Sequence, residues 1–181
     1  EIVTAISVQK KKGYFICKFF DTYSIYTIKL MWLLSCLYEK VIITKPVTSR
    51  PANCERYVVC CNFIGISDKN YKILLNIVSD WEKLNKDEFI DICDNIPQDF
   101  IDSVTEYNKY HAENQIVSII DTLKIIKNKE KIDINILKKQ QTSNGIEWCN
   151  KYNVTINNNS KYVKNYLRSL NYSKESMLDG I

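Results

Sequence analysis

The sequence predicts an α/β fold. A sheet-forming segment over residues 1–65 is followed by a helical extension over 66–152 and an Asn-rich, weakly structured tail over 153–181. Apolar and β-branched runs of strand length occur before residue 65, and helical spacing dominates after it. Charge also divides the chain: residues 1–65 carry 9 basic and 4 acidic groups (+5), 66–135 carry 9 and 14 (−5), and 136–181 carry 7 and 3 (+4). With 45% hydrophobic residues, the chain is not predicted to be disordered as a whole.

The first elements are a strand and a helix. The apolar run 14–20, introduced by Gly13, is typical of a strand that is buried on both faces. Apolar side chains then surround most of a helix over 22–38, with Asp21 or Thr22 available as its N-cap. A helix that is apolar on most sides is expected to pack against a sheet.

Two further strands follow, over 40–45 and 56–64, and both are rich in β-branched residues. Pro46 ends the first of them, and the polar loop 46–55 connects the two. A ten-residue loop is too long for a tight hairpin, and such loops on rigid scaffolds often carry functional residues.

After Gly65 the spacing of apolar residues predicts helices with no further convincing strand. Asn144-Gly145 is a possible break, and the tail is expected to contain one weak helix around 160–170. The predicted helices cover residues 68–84, 86–94, 97–109, 112–128 and 133–151.

Composition also limits the function classes. Seven cysteines, none in a CxxC pair, indicate thiols in a reducing compartment, so the protein is expected in the cytoplasm or nucleus and not to be secreted. With His111 as the one histidine, no metal site is expected. The apolar run Leu30–Tyr38 is far shorter than the ~20 residues of a membrane-spanning helix.

Lys18 and Glu55 are the residues with the clearest chemical potential. Lys18 interrupts an apolar strand, and a buried ammonium needs a compensating partner. Glu55 lies at the start of the last strand and would reach the same edge of the sheet if the two strands are neighbours. The alternative is that Lys18 extends its head into water while Glu55 pairs with Arg56 or Lys45.

The stretches that contain these residues read Gly13-Tyr-Phe-Ile-Cys-Lys-Phe-Phe-Asp21 and Lys45-Pro-Val-Thr-Ser-Arg-Pro-Ala-Asn-Cys-Glu-Arg-Tyr-Val-Val-Cys60. They resemble the FtsJ-like RNA 2′-O-methyltransferases, and the second stretch is most similar to the cap-specific mRNA enzymes of eukaryotes and large DNA viruses. The resemblance implies the C-terminal half of a Rossmann-like methyltransferase sheet, with an antiparallel final strand.

The resemblance also implies a Lys-Asp-Lys-Glu catalytic tetrad, in which Lys18 matches the second lysine and Glu55 the glutamate. S-adenosylmethionine is the implied cofactor and capped mRNA or another RNA the implied partner. No glycine pair is spaced as GxG, so the cofactor-binding residues are expected upstream of residue 1. The resemblance implies that the first lysine and the aspartate of the tetrad also precede this segment, which alone is expected to be inactive. Lys18 would deprotonate the ribose 2′-hydroxyl or stabilise its oxyanion.

Three further residues are candidates for RNA contacts. Ser49 and Arg50 would bind phosphate or ribose, or alternatively would form a hydrogen-bond network within the loop. Asp21 would contact the cap nucleotide or cap the following helix. The competing functions are methylation of ribosomal or transfer RNA by an FtsJ-like enzyme, and a non-catalytic RNA-binding or interaction homologue.

Overall fold

The computed structural model describes residues 1–20, 22–81, 83–85, 91–93, 95–128 and 133–178, with residues 171–178 described by backbone alone. The chain forms two compact units. The first comprises Glu1–Lys45 and Pro51–Ser118, and the second Pro46–Arg50 and Ile119–Ile181. The candidate residues Lys18 and Glu55 therefore belong to the first unit.

The first unit contains a sheet that, within the described residues, has three strands: β1 (Phe15–Phe19), β2 (Tyr38–Thr44) and β3 (Arg56–Phe63). Their order is β1-β3-β2, and β3 runs antiparallel to both neighbours. The last strand in sequence thus lies between the first two, and the predicted antiparallel direction of this strand is confirmed. The three predicted strands are confirmed to within two residues at each end.

The core of this unit forms where the helix between β1 and β2 packs on the sheet. Helix α2 spans Ile25–Leu37, and a short helix α1 spans Ile2–Val8. Met31 and Leu34 of α2 and Val58 and Cys60 of β3 are at most 1% exposed. Residues of β3 alternate in burial because successive side chains of a strand point to opposite faces.

The helix N-cap is Ser24, whose hydroxyl accepts a hydrogen bond from the Tyr26 amide at 3.3 Å. The prediction of Thr22 as N-cap is wrong, and Asp21 lies outside the described residues. Thr22 is buried instead: its hydroxyl donates to Asn108 Oδ1 at 2.5 Å, and the Asn108 amide donates to the Thr22 carbonyl at 2.7 Å. These hydrogen bonds connect the segment just before α2 to a residue 86 positions away in the sequence.

Gly13 is required by a close approach in the turn before β1. A Cβ there would lie 2.9 Å from the Lys10 carbonyl oxygen, inside van der Waals contact. The Gly13 carbonyl accepts from the Phe63 amide at 3.0 Å, and the Phe63 carbonyl accepts from the Lys12 amide at 2.8 Å. This turn therefore joins the segment before β1 to the end of β3.

The remaining elements are helical, as the spacing predicts, but their boundaries differ. The two helices predicted over 97–109 and 112–128 are one continuous helix, Gln98–Lys127, and the helix Ile134–Lys151 runs unbroken through Asn144-Gly145, so both predicted interruptions are wrong. Of the helix predicted over 86–94, residues 91–93 are not helical and 86–90 and 94 lie outside the described residues. The helices are α3 (Asp68–Trp81), α4 (Gln98–Lys127), α5 (Ile134–Lys151) and α6 (Lys161–Leu178).

Among the described residues, none of the helices has the length and apolar character needed to cross a bilayer.

Candidate active site

The sheet register brings Lys18 and Glu55 together. In the antiparallel pairing of β1 with β3, Lys18 lies opposite Tyr57 and Phe19 opposite Arg56. Glu55 directly precedes β3, so its side chain is delivered to the end of β1 where Lys18 lies. The Lys18 Nζ and a Glu55 carboxylate oxygen (Oε2) are 3.8 Å apart, which is an ion pair. The sequence-based expectation that these two residues meet at one edge of the sheet is therefore met.

Lys18 is not buried, however. Its side chain is 44% exposed, because Cys17 takes the inward position of the five-residue strand and Lys18 faces outward. The buried lysine of this unit is Lys29 of α2, 8% exposed as a residue and ion-paired with the Asp91 carboxylate. Hydrogen bonding from Lys29 holds the pKa of Asp91 below its usual value. The burial expected at Lys18 is thus found at Lys29, whereas Lys18 is partly exposed and pairs with Glu55.

Glu55 is more enclosed than its partner. Its side chain is 18% exposed, and its carboxylate (Oε1) also accepts a hydrogen bond from the Tyr57 hydroxyl at 2.5 Å. That hydrogen bond, with some burial and the carboxylate charge, raises the pKa of Tyr57. A tyrosine on one side and a lysine on the other therefore fix the Glu55 carboxylate.

Lys45 holds the loop end that carries Glu55. Its ammonium donates to the Asn53 carbonyl at 3.0 Å, to Asn53 Oδ1 at 2.7 Å and to the Glu55 carbonyl at 3.1 Å. Asn53 Oδ1 also accepts from the Glu55 amide at 3.3 Å. Burial, followed by the Arg56 charge, lowers the pKa of Lys45, and Glu55 partly offsets this. Sequence reasoning treated Lys45 only as a possible ion-pair partner and missed this role.

Positive charge surrounds Glu55. Arg56 is 3% exposed, and its guanidinium (Nη1) donates to the Glu55 carbonyl at 3.2 Å. Burial and the charges of Arg56 and Lys45 lower the pKa of His111. One carboxylate therefore lies close to the cationic side chains of Lys18, Lys45 and Arg56.

The other predicted contact residues are Ser49, Arg50 and Asp21. Ser49 is half-buried, with its amide donating to the Pro46 carbonyl at 2.9 Å, and Arg50 is exposed. Both belong to the second compact unit. Asp21 lies outside the described residues, so the RNA-contact roles of all three stay predictions.

One aromatic ring lies beside the candidate lysine. Lys18 Nζ lies 4.8 Å from the centre of the Phe20 ring, and Phe20 is 57% exposed. Phe15, Phe19 and Trp32 are partly buried, whereas Tyr14 and Phe20 are exposed.

Within the described residues, the glycines do not form the glycine-rich turn expected to bind S-adenosylmethionine. Gly13 precedes β1, Gly65 follows β3 and Gly145 lies within α5, so none forms a glycine-rich GxG turn. No cofactor-binding residue is assigned to them. Within the same residues, no three His, Cys, Asp or Glu side chains are grouped so as to hold a metal ion.

Known proteins are similar to the part of the chain that contains Lys18 and Glu55. Residues 1–63 match the model of the FtsJ-like methyltransferase family. The predicted resemblance to FtsJ-like methyltransferases is confirmed over residues 1–63. This FtsJ-like segment contains β1, β2 and β3 together with Lys18, Lys45 and Glu55.

Several relatives are named cap-specific mRNA (nucleoside-2′-O-)-methyltransferase 1. The chain is 35% identical to the Homo sapiens protein over 130 residues, which are 66% of the chain and 15% of the relative. It is 37% identical to the Danio rerio protein over 114 residues (61% and 13%) and 29% identical to the Caenorhabditis elegans protein over 144 residues (74% and 16%). The matched part thus spans about 15% of the length of these relatives.

Proposed function

We propose that this FtsJ-like chain is part of an S-adenosylmethionine-dependent RNA 2′-O-methyltransferase that modifies the first transcribed nucleotide of capped mRNA. The observation that carries the proposal is the 3.8 Å pair of Lys18 and Glu55 at adjacent ends of β1 and β3. The names of the relatives, cap-specific mRNA methyltransferases, favour the capped substrate over ribosomal or transfer RNA. Capped mRNA would be met in the nucleus or cytoplasm.

Lys18 is proposed as the catalytic residue at the ribose. A 2′-hydroxyl is a poor nucleophile until its proton leaves or its developing negative charge is stabilised. The Lys18 ammonium, held outward at the end of β1, would lie against the 2′ oxygen and stabilise that charge as the proton passes to water. S-adenosylmethionine would supply the methyl group on a sulfonium.

Glu55 is proposed to position Lys18. The ion pair restricts the flexible lysine side chain. The hydrogen bond from the Tyr57 hydroxyl and the hydrogen bond from the Lys45 ammonium to the Glu55 carbonyl restrict Glu55 in turn. In a displacement reaction, alignment of the nucleophile accounts for a large share of the rate enhancement, and a small misplacement lowers the rate strongly. Ser49, Arg50 and Asp21 are proposed to contact the RNA.

The β1-β3-β2 arrangement supports a fold proposal as well. The resemblance implies an antiparallel final strand for a Rossmann-like methyltransferase sheet, and β3 is antiparallel to both of its neighbours. We therefore propose that residues 1–65 are the C-terminal half of such a domain, followed by a helical extension over 66–152 and an Asn-rich segment over 153–181, whose helix α6 packs on α5.

The function is tested with the full-length protein, S-adenosylmethionine and two RNAs of one sequence, capped and uncapped. Mass spectrometry of nuclease digests should locate the methyl group on the first nucleotide of the capped RNA. A capped RNA with a 2′-deoxy first nucleotide is the control and should stay unmodified. Equal methylation of both RNAs would contradict cap specificity, and no methylation of either would favour a non-catalytic homologue.

A further inference from the structure

A groove separates α5 and α6 within the second compact unit. It measures about 430 Å³ and is lined by residues at helical spacing on both helices. That volume lies within the range of sites that hold nucleotide-sized groups, which is about 300 to 1,000 Å³. None of its lining residues belongs to the Lys18–Glu55 site, so it is a separate surface.

The lining of the groove is basic. Lys138 and Lys139 of α5 and Lys161 of α6 contribute three ammonium groups, and none of the lining side chains that the structure describes is acidic. Over residues 133–170 there are six basic and two acidic residues. One of the two acids, Asp133, caps α5 by accepting from the Asn135 amide at 2.8 Å, and the other, Glu147, does not line the groove.

The groove also presents an ordered aromatic surface. Tyr162 is 56% exposed, and Lys161 Nζ lies 5.2 Å from the centre of its ring. The half-buried Tyr166 donates its hydroxyl to Ser143 Oγ at 3.1 Å, which fixes α6 against α5. A tyrosine ring that is exposed on a fixed helix surface can stack on a base at little cost in entropy.

We propose that the α5–α6 groove binds single-stranded RNA outside the catalytic site. Lysines beside exposed aromatic rings are the combination that binds single strands, since the cations neutralise phosphates and the rings stack on bases. The amides of Asn135 and Asn165, which also line the groove, add donors and acceptors for base edges. The choice of RNA as occupant rests on the proposed function. The basic and aromatic character of the groove is observed independently of that proposal.

The test measures binding of a fluorescein-labelled, uncapped single-stranded RNA to the full-length protein by anisotropy at several salt concentrations. Lys138→Gln and Lys161→Gln are compared with Lys151→Gln and Lys164→Gln, which remove the same charge from α5 and α6 outside the groove. Each groove variant should bind more weakly and lower the salt slope by about 0.7, the value for one phosphate contact on a single strand. The control variants should keep the slope of the unmodified protein.

A second pair of variants tests stacking. Tyr162→Ala should weaken binding about fivefold or more, and Tyr162→Phe should restore it, because phenylalanine keeps the ring. Circular dichroism checks that each variant retains its helix content. RNA carrying 4-thiouridine should also crosslink to peptides of α5 or α6.

Three results would overturn the proposal: equal losses for groove and control lysines, no loss for Tyr162→Ala, or duplex DNA binding as tightly as single-stranded RNA. The last result would indicate a polyanion patch only. Because these readouts need no methyl transfer, they separate the two proposals. Groove binding can hold while methylation is absent, and methylation can proceed while the groove variants bind normally.

Discussion

The sheet of the first unit and the α5–α6 pair of the second use different means to place polar side chains. In the sheet, backbone register sets Lys18 against Glu55, and a packed core stands behind the strands. In the helix pair, spacing along the helix sets the lysines and tyrosines, and no residue of α5 is buried. Geometry held by a core suits alignment of reacting atoms, whereas an exposed helix surface suits binding.

This difference predicts where the chain is sensitive to the loss of apolar side chains. Leu34→Ala, at a position with 0% exposure, should lower the free energy of unfolding by about 2 to 5 kcal/mol, because it leaves a cavity between α2 and β3. Leu167→Ala on α6, at 47% exposure, should cost about 1 kcal/mol or less. Urea unfolding measures both, and equal losses would contradict the contrast between the two units.

The hydrogen bonds that Lys45 donates to Asn53 and Glu55 allow a sharper test of stability within the first unit. Lys45→Met removes three hydrogen bonds that hold Asn53 and Glu55, and should cost about 1 to 3 kcal/mol since it leaves their oxygens short of a donor. Lys40→Met, at an exposed position of β2, the strand that Lys45 directly follows, is the matched control and should be nearly neutral. A loss of unfolding free energy as small as that of the control would mean that the Lys45 hydrogen bonds do not stabilise the loop.

The smallest expected effect is the pH dependence that His111 contributes. Its folded pKa is lowered, so the unfolded chain binds the proton more readily and the folded state loses stability as pH falls from about 7 through the usual histidine pKa. His111→Gln should remove this dependence. Chemical denaturation at pH 7, 6 and 5 measures it, and stability that rises on acidification over this range would contradict the assignment. Because the chain has one histidine, no second imidazole confuses the result.

Much of the sheet was predictable because its information is local. Short β-branched runs and Gly13 mark the strands, and the continuous Lys45–Cys60 stretch resembles a known family. Glu55 follows the long loop directly, so its place at the start of β3 could be predicted without knowledge of the register. Register then brings it to Lys18, which the sequence could only suggest.

Other features depend on contacts that are distant in sequence. Lys29 meets Asp91 across 62 positions, and Thr22 meets Asn108 across 86. A lysine within an apolar strand does not indicate which face it takes, so the burial expected at Lys18 was instead found at Lys29. Asn144-Gly145 looked like a break because both residues have low helix propensity, yet α5 continues through them.

The central claim is that the Lys18–Glu55 pair forms the catalytic site of a 2′-O-methyltransferase. Its most direct test is the single-turnover rate of methyl transfer to capped RNA by full-length Lys18→Met, with Lys40→Met as the control. We expect the rate to fall by about 100-fold or more, while the free energy of unfolding stays within about 0.5 kcal/mol, because Lys18 is partly exposed. A rate within about twofold of that of the control would contradict the claim.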